Sequence, residues 1–250
     1  MSCCPDRSWG ALDQLFEEGK LYVPKGKVET KKDMDIYITG IENCKNGKCI
    51  IWNYDIFGFN GGRSKFWCDS LASEGFLVIM PDYYRGEFHD KTVPGLPEFI
   101  KKQTQWTKLK QDLEEIVLPI AKSLGGSSFG SIGTCWGSYL VLRESTYPEF
   151  KAGISMHPSH PQIFNVIGEV EVDIMKDVQC PQLFMPAGND HVNVRPGGLG
   201  ASVLGDRLQI IEFPEMVHGW TTRGDMNNKV VNMDVKKAFN DVLSFFKLHL

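Results

Sequence analysis

A cysteine between two glycines is the residue best suited to chemistry in this sequence. Gly133, Cys135 and Gly137 alternate with Thr134 and Trp136, and a small, apolar segment precedes them. In this pattern a buried strand turns directly into a helix, and the turn pushes the middle residue out of the sheet. Glycine at both flanks avoids a clash with the neighbouring elements. The helix N-terminus beside the sulfur favours a thiolate, which is the nucleophilic form of cysteine.

A buried structural cysteine in a strand-to-helix turn would show the same five-residue pattern. Residues further along the chain must therefore decide whether Cys135 is catalytic or structural. Asp190 follows a predicted strand at residues 182–185, and His218 follows the predicted last strand at residues 208–213. The chain order nucleophile, acid, base is that of an α/β-hydrolase. We therefore predict that Cys135, Asp190 and His218 form a catalytic triad.

The three side chains have complementary roles. A thiol with a pKa of about 8.5 is little ionised at neutral pH and needs a base. His218 would take its proton and later give it to the leaving group, while Asp190 would fix the imidazole tautomer. The oxyanion of the intermediate needs backbone donors, which we predict to be the amides of Ile56 and Trp136. The rival bases are His157, His160 and His191.

Alternating strand and helix patterns must position these residues. Predicted strands cover residues 35–39, 48–53, 76–80, 128–133, 151–156, 182–185 and 208–213. Predicted helices cover residues 12–17, 66–74, 106–123 and 233–248, and residues 83–99 are predicted to form a surface excursion. The alternation predicts an α/β fold with one mostly parallel sheet flanked by helices on both faces. Active sites of such sheets lie at the carboxyl ends of the strands, which is where the predicted triad falls.

No linker or repeat divides the chain, so we expect one α/β-hydrolase domain over residues 31–250. Residues 1–30 are expected to be an irregular lead-in packed on that domain. The net charge of −4 gives no support to nucleic-acid or membrane binding. Seven cysteines, an odd number, do not indicate a secreted disulfide framework, and no signal-peptide core is present. We expect a cytoplasmic monomer or homodimer that uses no metal and no other cofactor.

Five short motifs occur in order along the chain after residue 30. They lie at residues 55–58, 81–84, 133–137, 189–190 and 218–219. Together they resemble the dienelactone hydrolase (carboxymethylenebutenolidase) family. The resemblance implies an α/β-hydrolase core without a large lid, a Cys-Asp-His triad, and hydrolysis of small lactones or activated esters.

The resemblance also implies substrate-binding residues. In family members, a glutamate at the position of Asp55 interacts with the resting cysteine and helps to generate its thiolate. Here the side chain is one methylene shorter. Family arginines hold a substrate carboxylate, and Arg85 and Arg223 lie about one residue from their places, with solvated surface arginines as the alternative. His157 is either a substrate-side donor or a helix-entry residue bonded to backbone. Further candidates for the pocket are Phe57, Tyr84 and Trp220.

The predicted function is cysteine-dependent hydrolysis of a small, possibly anionic ester or lactone through an acyl-enzyme intermediate. Two alternatives stay open. One is a catalytically weak family member that binds a ligand or senses redox state through an easily oxidised thiol. The other is hydrolysis of C–C or C–X bonds by the same triad, because fold resemblance does not fix the substrate.

Overall fold

An eight-stranded sheet forms the centre of the protein in a computed structural model, which describes residues 5, 7–10, 16–17, 20–43, 46–90 and 94–250. After a short hairpin of β1 (Phe16–Glu17) and β2 (Lys20–Leu21), its strands in chain order are β3 (Lys27–Lys31), β4 (Met34–Thr39), β5 (Lys48–Asn53), β6 (Leu77–Pro81), β7 (Ser128–Thr134), β8 (Phe150–Met156), β9 (Gln182–Met185) and β10 (Leu208–Ile210). Their order across the sheet is β10-β9-β8-β7-β5-β6-β4-β3. In this order, the six strands from β10 to β6 run parallel to one another. Strands β4 and β3 extend the sheet beyond β6 with antiparallel pairing. The predicted α/β fold with a mostly parallel sheet is confirmed.

The strands differ in burial as their sequences predict. All residues of β6 and nearly all of β5, β7 and β8 are buried, as expected for parallel strands covered on both faces. The edge strand β3 is mostly exposed and reads Lys-Val-Glu-Thr-Lys. Charged residues at a sheet edge oppose pairing with another chain.

Ten helices surround the sheet among the described residues. They are α1 (Ser64–Ser73), α2 (Leu96–Gln103), α3 (Trp106–Asp112), α4 (Leu118–Ser123), α5 (Gly137–Glu144), α6 (His160–Ile167), α7 (Glu171–Asp177), α8 (Leu199–Leu204), α9 (Trp220–Arg223) and α10 (Lys229–His249). A π-helical segment at Leu113–Val117 joins α3 to α4, and short 3₁₀ turns lie at Ile41–Asn43, Val192–Val194 and Gly205–Arg207. The closing helix α10 buries Val235, Ala238, Val242 and Phe246 on one face, as its spacing predicts. None of the helices in the described part of the chain is long and apolar enough to cross a membrane.

One predicted segment differs from the structure near the N-terminus. Residues 12–15 of the predicted helix lie outside the described residues, and Phe16–Glu17 form β1 instead of a helical turn. This strand pairs antiparallel with Lys20–Leu21. The strand Lys27–Lys31 crosses the expected boundary at residue 30, and the division into lead-in and domain stays a prediction.

The predicted surface excursion at residues 83–99 is wrong at both ends. Tyr83 and Tyr84 are buried, and α2 begins at Leu96. The Tyr84 ring packs edge-on against Trp136 at 4.6 Å and against Phe99 at 5.2 Å. These aromatic contacts hold the segment to the core, although its Gly, Pro and charged residues are typical of a loop.

Candidate active site

Cys135 lies at the sharp turn between β7 and α5. Its φ of +52° is in the left-handed region, which is strained for a residue with a side chain. A Cβ at Gly133 would lie 2.4 Å from the carbonyl of Gly137, and one at Gly137 would lie 2.1 Å from the carbonyl oxygen of Asn53. Both glycines are therefore required by close backbone approach, as the sequence pattern predicts.

The structure brings Asp190 and His218 together from successive strand exits. His218 Nδ1 lies 2.6 Å from Asp190 Oδ1, and the other carboxylate oxygen accepts the backbone N–H of Ala187 at 2.6 Å. The backbone N–H of His218 donates to Asn189 Oδ1 at 2.7 Å. The carboxylate therefore fixes the imidazole so that Nε2 is the nitrogen left for chemistry.

A serine that the sequence did not predict contacts both the thiol and the base. Ser159 Oγ is 3.4 Å from Cys135 Sγ and 3.5 Å from His218 Nε2, and all three side chains are fully buried. Ser159 lies in the loop between β8 and α6. Its one signal in the sequence is its position in His-Pro-Ser-His just past the β8 exit, where the histidines had drawn the attention.

Ser138 joins this loop to the nucleophile turn. Its hydroxyl donates to the carbonyl oxygen of Cys135 at 2.6 Å and accepts the backbone N–H groups of Ser159 and His160, each at 3.0 Å. The N–H of Ser159 also points to the carbonyl of Cys135 at 3.2 Å. One buried hydroxyl thus fixes two loops relative to each other.

The predicted oxyanion donors lie at two loop positions next to the thiol turn. Trp136 is the N-cap residue of α5, at the end where the first amide groups of a helix have no partner within it. Ile56 follows β5 in a turn in which Asp55 Oδ1 accepts the N–H of Phe57 at 2.9 Å. Trp136 Nε1 donates to Thr104 Oγ1 at 2.8 Å, which fixes the indole beside Tyr84. Their roles as oxyanion donors stay predictions.

Asp55 and Arg223 form a buried ion pair instead of facing solvent. Arg223 Nη1 donates to Asp55 Oδ2, which also accepts the hydroxyl of Thr222 at 3.2 Å. The guanidinium lies 4.4 Å from the centre of the Phe57 ring, and its Nε donates to the carbonyl of Trp9 at 3.2 Å. Arg223 is therefore not a solvated surface residue, and its charge is compensated inside the protein.

Arg85 is also held by carboxylates of the chain. Its Nη1 and Nη2 donate to the two oxygens of Asp112 at 2.6 and 2.7 Å, and Nη2 donates to Asp33 at 3.1 Å. The bidentate geometry is the strong form of such a pair. The two arginines predicted to bind a substrate carboxylate thus both have internal anionic partners.

The remaining predicted pocket residues pack around the base. His157 has a φ of +37°, its Nε2 lies 2.6 Å from Thr221 Oγ1, and its ring is edge-on to His218 at 4.9 Å. Trp220 is buried against Phe213, with ring centres 4.4 Å apart. Both therefore support the position of the His218 loop, and contact with substrate stays a prediction for each.

The rival histidines have other partners. His160 Nε2 lies 3.2 Å from Glu171 Oε1 in a buried pair, and His191 Nδ1 accepts the N–H of Asn193 at 3.2 Å to cap a 3₁₀ turn. His218, and not one of the rival histidines, is the histidine that the structure places in contact with Asp190. The role of His218 as the base stays a prediction.

A cysteine elbow after a central parallel strand, with an Asp–His pair at later strand exits, defines an α/β-hydrolase fold with a candidate hydrolytic site. The sequence profile of the Dienelactone hydrolase family matches residues 34–250. The chain belongs to this family, and it is an ester or lactone hydrolase.

Relatives and solved structures agree with that assignment. An uncharacterized AIM2 family protein of Schizosaccharomyces pombe is 26% identical over 98% of each chain. A carboxymethylenebutenolidase homolog of Xenopus tropicalis is 26% identical over 86% of this chain and 85% of its own. The crystal structure of a putative dienelactone hydrolase from Klebsiella pneumoniae is 21% identical, covers 86% of this chain and 92% of its own, and superposes with a TM-score of 0.66. At that identity the likeness supports the fold alone.

Proposed function

We propose that the protein hydrolyses small esters or lactones with Cys135 as nucleophile, His218 as base and Asp190 as the residue that orients the base. The observation that carries this proposal is the chain of contacts from Cys135 Sγ through Ser159 Oγ and His218 Nε2 to Asp190 Oδ1. It begins at a strained turn that presents the sulfur and ends at a carboxylate fixed by backbone.

The proposed reaction has two halves. The thiol proton moves to the imidazole, the thiolate attacks the acyl carbon, and the carbonyl electrons move to an oxyanion near the Trp136 and Ile56 amides. Collapse breaks the C–O bond, and the imidazolium proton goes to the leaving oxygen. A water molecule then gives a proton to His218 and attacks the thioester, which releases the acid and restores the thiol.

The substrate class is supported by family membership. The name of the Xenopus tropicalis relative refers to an enzyme that opens a lactone ring. The buried rings of Tyr84 and Trp136 pack against each other beside the thiol turn. An anionic substrate stays part of the proposal, although it has less support because Arg85 and Arg223 are already paired. The cytoplasmic location and the oligomeric state also stay predictions.

A panel of p-nitrophenyl esters and lactones tests the proposal. We expect Cys135→Ala to lower kcat/KM by at least about a thousandfold, because the covalent step is lost. Cys68→Ala is the matched control, since Cys68 is also fully buried but lies in α1. Circular dichroism would show that both variants fold. Turnover by Cys135→Ala close to that of the wild type would show that this triad assignment is wrong.

A further inference from the structure

The hydroxyl of Ser159 contacts both the proposed nucleophile and the proposed base. Its distances of 3.4 Å to Cys135 Sγ and 3.5 Å to His218 Nε2 put it in contact with both groups that exchange a proton. A hydroxyl can donate one hydrogen bond and accept two others at once. It can therefore accept the thiol proton while it donates its own.

Ser159 is fixed by contacts that do not involve its own hydroxyl. Its backbone N–H is shared between the hydroxyl of Ser138 at 3.0 Å and the carbonyl of Cys135 at 3.2 Å. The Ser138 hydroxyl in turn donates to that same carbonyl at 2.6 Å. The nucleophile turn and the serine loop are thus joined through the Ser138 hydroxyl and through backbone groups, which hold the backbone of Ser159 next to the Cys135 turn.

We propose that Ser159 is an additional catalytic residue, which relays the proton from Cys135 to His218 and then donates a hydrogen bond to the thiolate. The proposal rests on the proposed role of Cys135. In the step, the Cys135 S–H bond breaks as a new O–H bond forms on Ser159. The original O–H bond of Ser159 breaks as an N–H bond forms on His218 Nε2. The products are a thiolate, a neutral hydroxyl and an imidazolium, so atoms and charge balance.

The ionisable groups packed around the base are known from the structure. Asp190 contacts His218 Nδ1, and the His157 ring lies edge-on to His218 at 4.9 Å. Arg223, which is paired with Asp55, ends α9, the helix that begins two residues after His218. These groups contribute to any pH profile of the site, so the effect of Ser159 must be read as a difference between variants measured over one pH range.

The test is the pH dependence of Cys135 alkylation by iodoacetamide, located by peptide mass spectrometry. A hydrogen bond to a charged group corresponds to a factor of about 10 to 100. We therefore expect Ser159→Ala to slow alkylation at pH 7 by about tenfold or more and to move the profile to higher pH by about one unit or more. The same variant should lower kcat by about 10- to 100-fold with little change in KM.

Ser155→Ala is the matched control, because Ser155 is a fully buried serine near the end of the same strand β8. Its alkylation profile should superpose on that of the wild type. Ser138→Ala provides a second variant, since it loosens the loop and should move the profile in the same direction as Ser159→Ala. If Ser159→Ala does not fold, this variant decides.

The failures of the two proposals can be told apart. A Ser159→Ala profile that superposes on the wild type, with Cys135→Ala inactive, would overturn the relay and leave the proposed function intact. An unchanged Ser138→Ala profile would do the same where Ser159→Ala is not available. Full activity of Cys135→Ala would instead overturn the proposed function itself.

Discussion

Two groups of buried polar side chains lie at the carboxyl ends of neighbouring parallel strands, and they are built differently. In the catalytic cluster of Cys135, Ser159, His218 and Asp190, the supporting contact of His218 with Asp190 is 2.6 Å, whereas its contact with Ser159 is 3.5 Å. In the Asp55–Arg223 pair, both carboxylate oxygens accept donors from the protein. The cluster is tight where it orients the base and loose where protons must move, a pattern common in catalytic sites without substrate. The ion pair is closed, which suits a structural role.

The first test, which has the largest expected effect, removes one partner of the His218–Asp190 hydrogen bond. His218→Ala should lower kcat by at least about a thousandfold, and Asp190→Asn by about a hundred- to ten-thousandfold, because the imidazole tautomer is lost. Steady-state kinetics on a p-nitrophenyl ester measures both. His191→Asn keeps a side chain that can cap the 3₁₀ turn and should stay near wild type. If His157→Ala is inactive while His218→Ala is active, His218 is not the base.

The second test removes one partner of the buried Asp55–Arg223 ion pair. Arg223→Ala leaves Asp55 as an unpaired buried charge and should lower the free energy of unfolding by about 3–5 kcal/mol. The double variant Asp55→Ala/Arg223→Ala should recover part of that loss, which urea unfolding would measure as a coupling energy. Lys102→Ala is the control, because both side chains of its ion pair with Glu87 are largely exposed. Additive effects of the two single changes would show that Asp55 and Arg223 do not stabilise each other.

Glu144 extends the comparison to a buried carboxylate without a cation beside it. Burial raises its pKa from an ordinary value of 4.5 to about 7, although Ser131 and Asn53 donate hydrogen bonds to it. The folded protein therefore holds this proton between pH 4.5 and 7 where the unfolded chain releases it. The stability contributed by the protonated carboxyl is present below pH 4.5 and is lost as the pH rises through 7.

The third test follows from that sign. Gln at position 144 cannot ionise, so the free energy of unfolding of Glu144→Gln minus that of the wild type should rise by about 3 kcal/mol between pH 4.5 and pH 8. Urea unfolding at several pH values measures the difference. Glu98→Gln, at an exposed position in α2, is the matched control for the loss of one carboxylate. A flat curve for Glu144→Gln would show that folding does not raise the pKa of Glu144.

The sequence predicted what depends on local pattern. The apolar runs of β5 to β9 and the glycines around Cys135 have local physical causes, so both the sheet and the nucleophile turn could be predicted. Asp190 and His218 could be predicted because the fold places strand exits together.

What the sequence did not predict depends on contacts between distant residues. Ser159 carries no distinctive pattern, since a loop serine is ordinary until the fold puts its hydroxyl beside Cys135. The partner of Arg223 is Asp55, which lies 168 positions earlier in the chain, so no local spacing reveals the pair. The buried aromatic residues after β6 were missed for the same reason, because Tyr84 is held by Trp136 from another strand exit.

The smallest expected effect concerns substrate charge, because the Asp55–Arg223 ion pair determines how much of the charge of Arg223 is available to a substrate. An arginine reserved for a substrate carboxylate would favour the acid over its methyl ester by about 10- to 100-fold, whereas one already paired with a carboxylate offers less net charge. We therefore predict that the wild type prefers a lactone acid over its methyl ester by less than about tenfold in kcat/KM, mainly through KM. Arg85→Ala removes the same charge as Arg223→Ala. Comparing the acid and ester kinetics of the two variants therefore separates the contributions of the two arginines. Equal values for acid and ester would show that neither arginine binds substrate. A preference above about a hundredfold would instead show that a guanidinium leaves its internal partner when substrate binds, and the Asp55–Arg223 group would then not be closed during turnover.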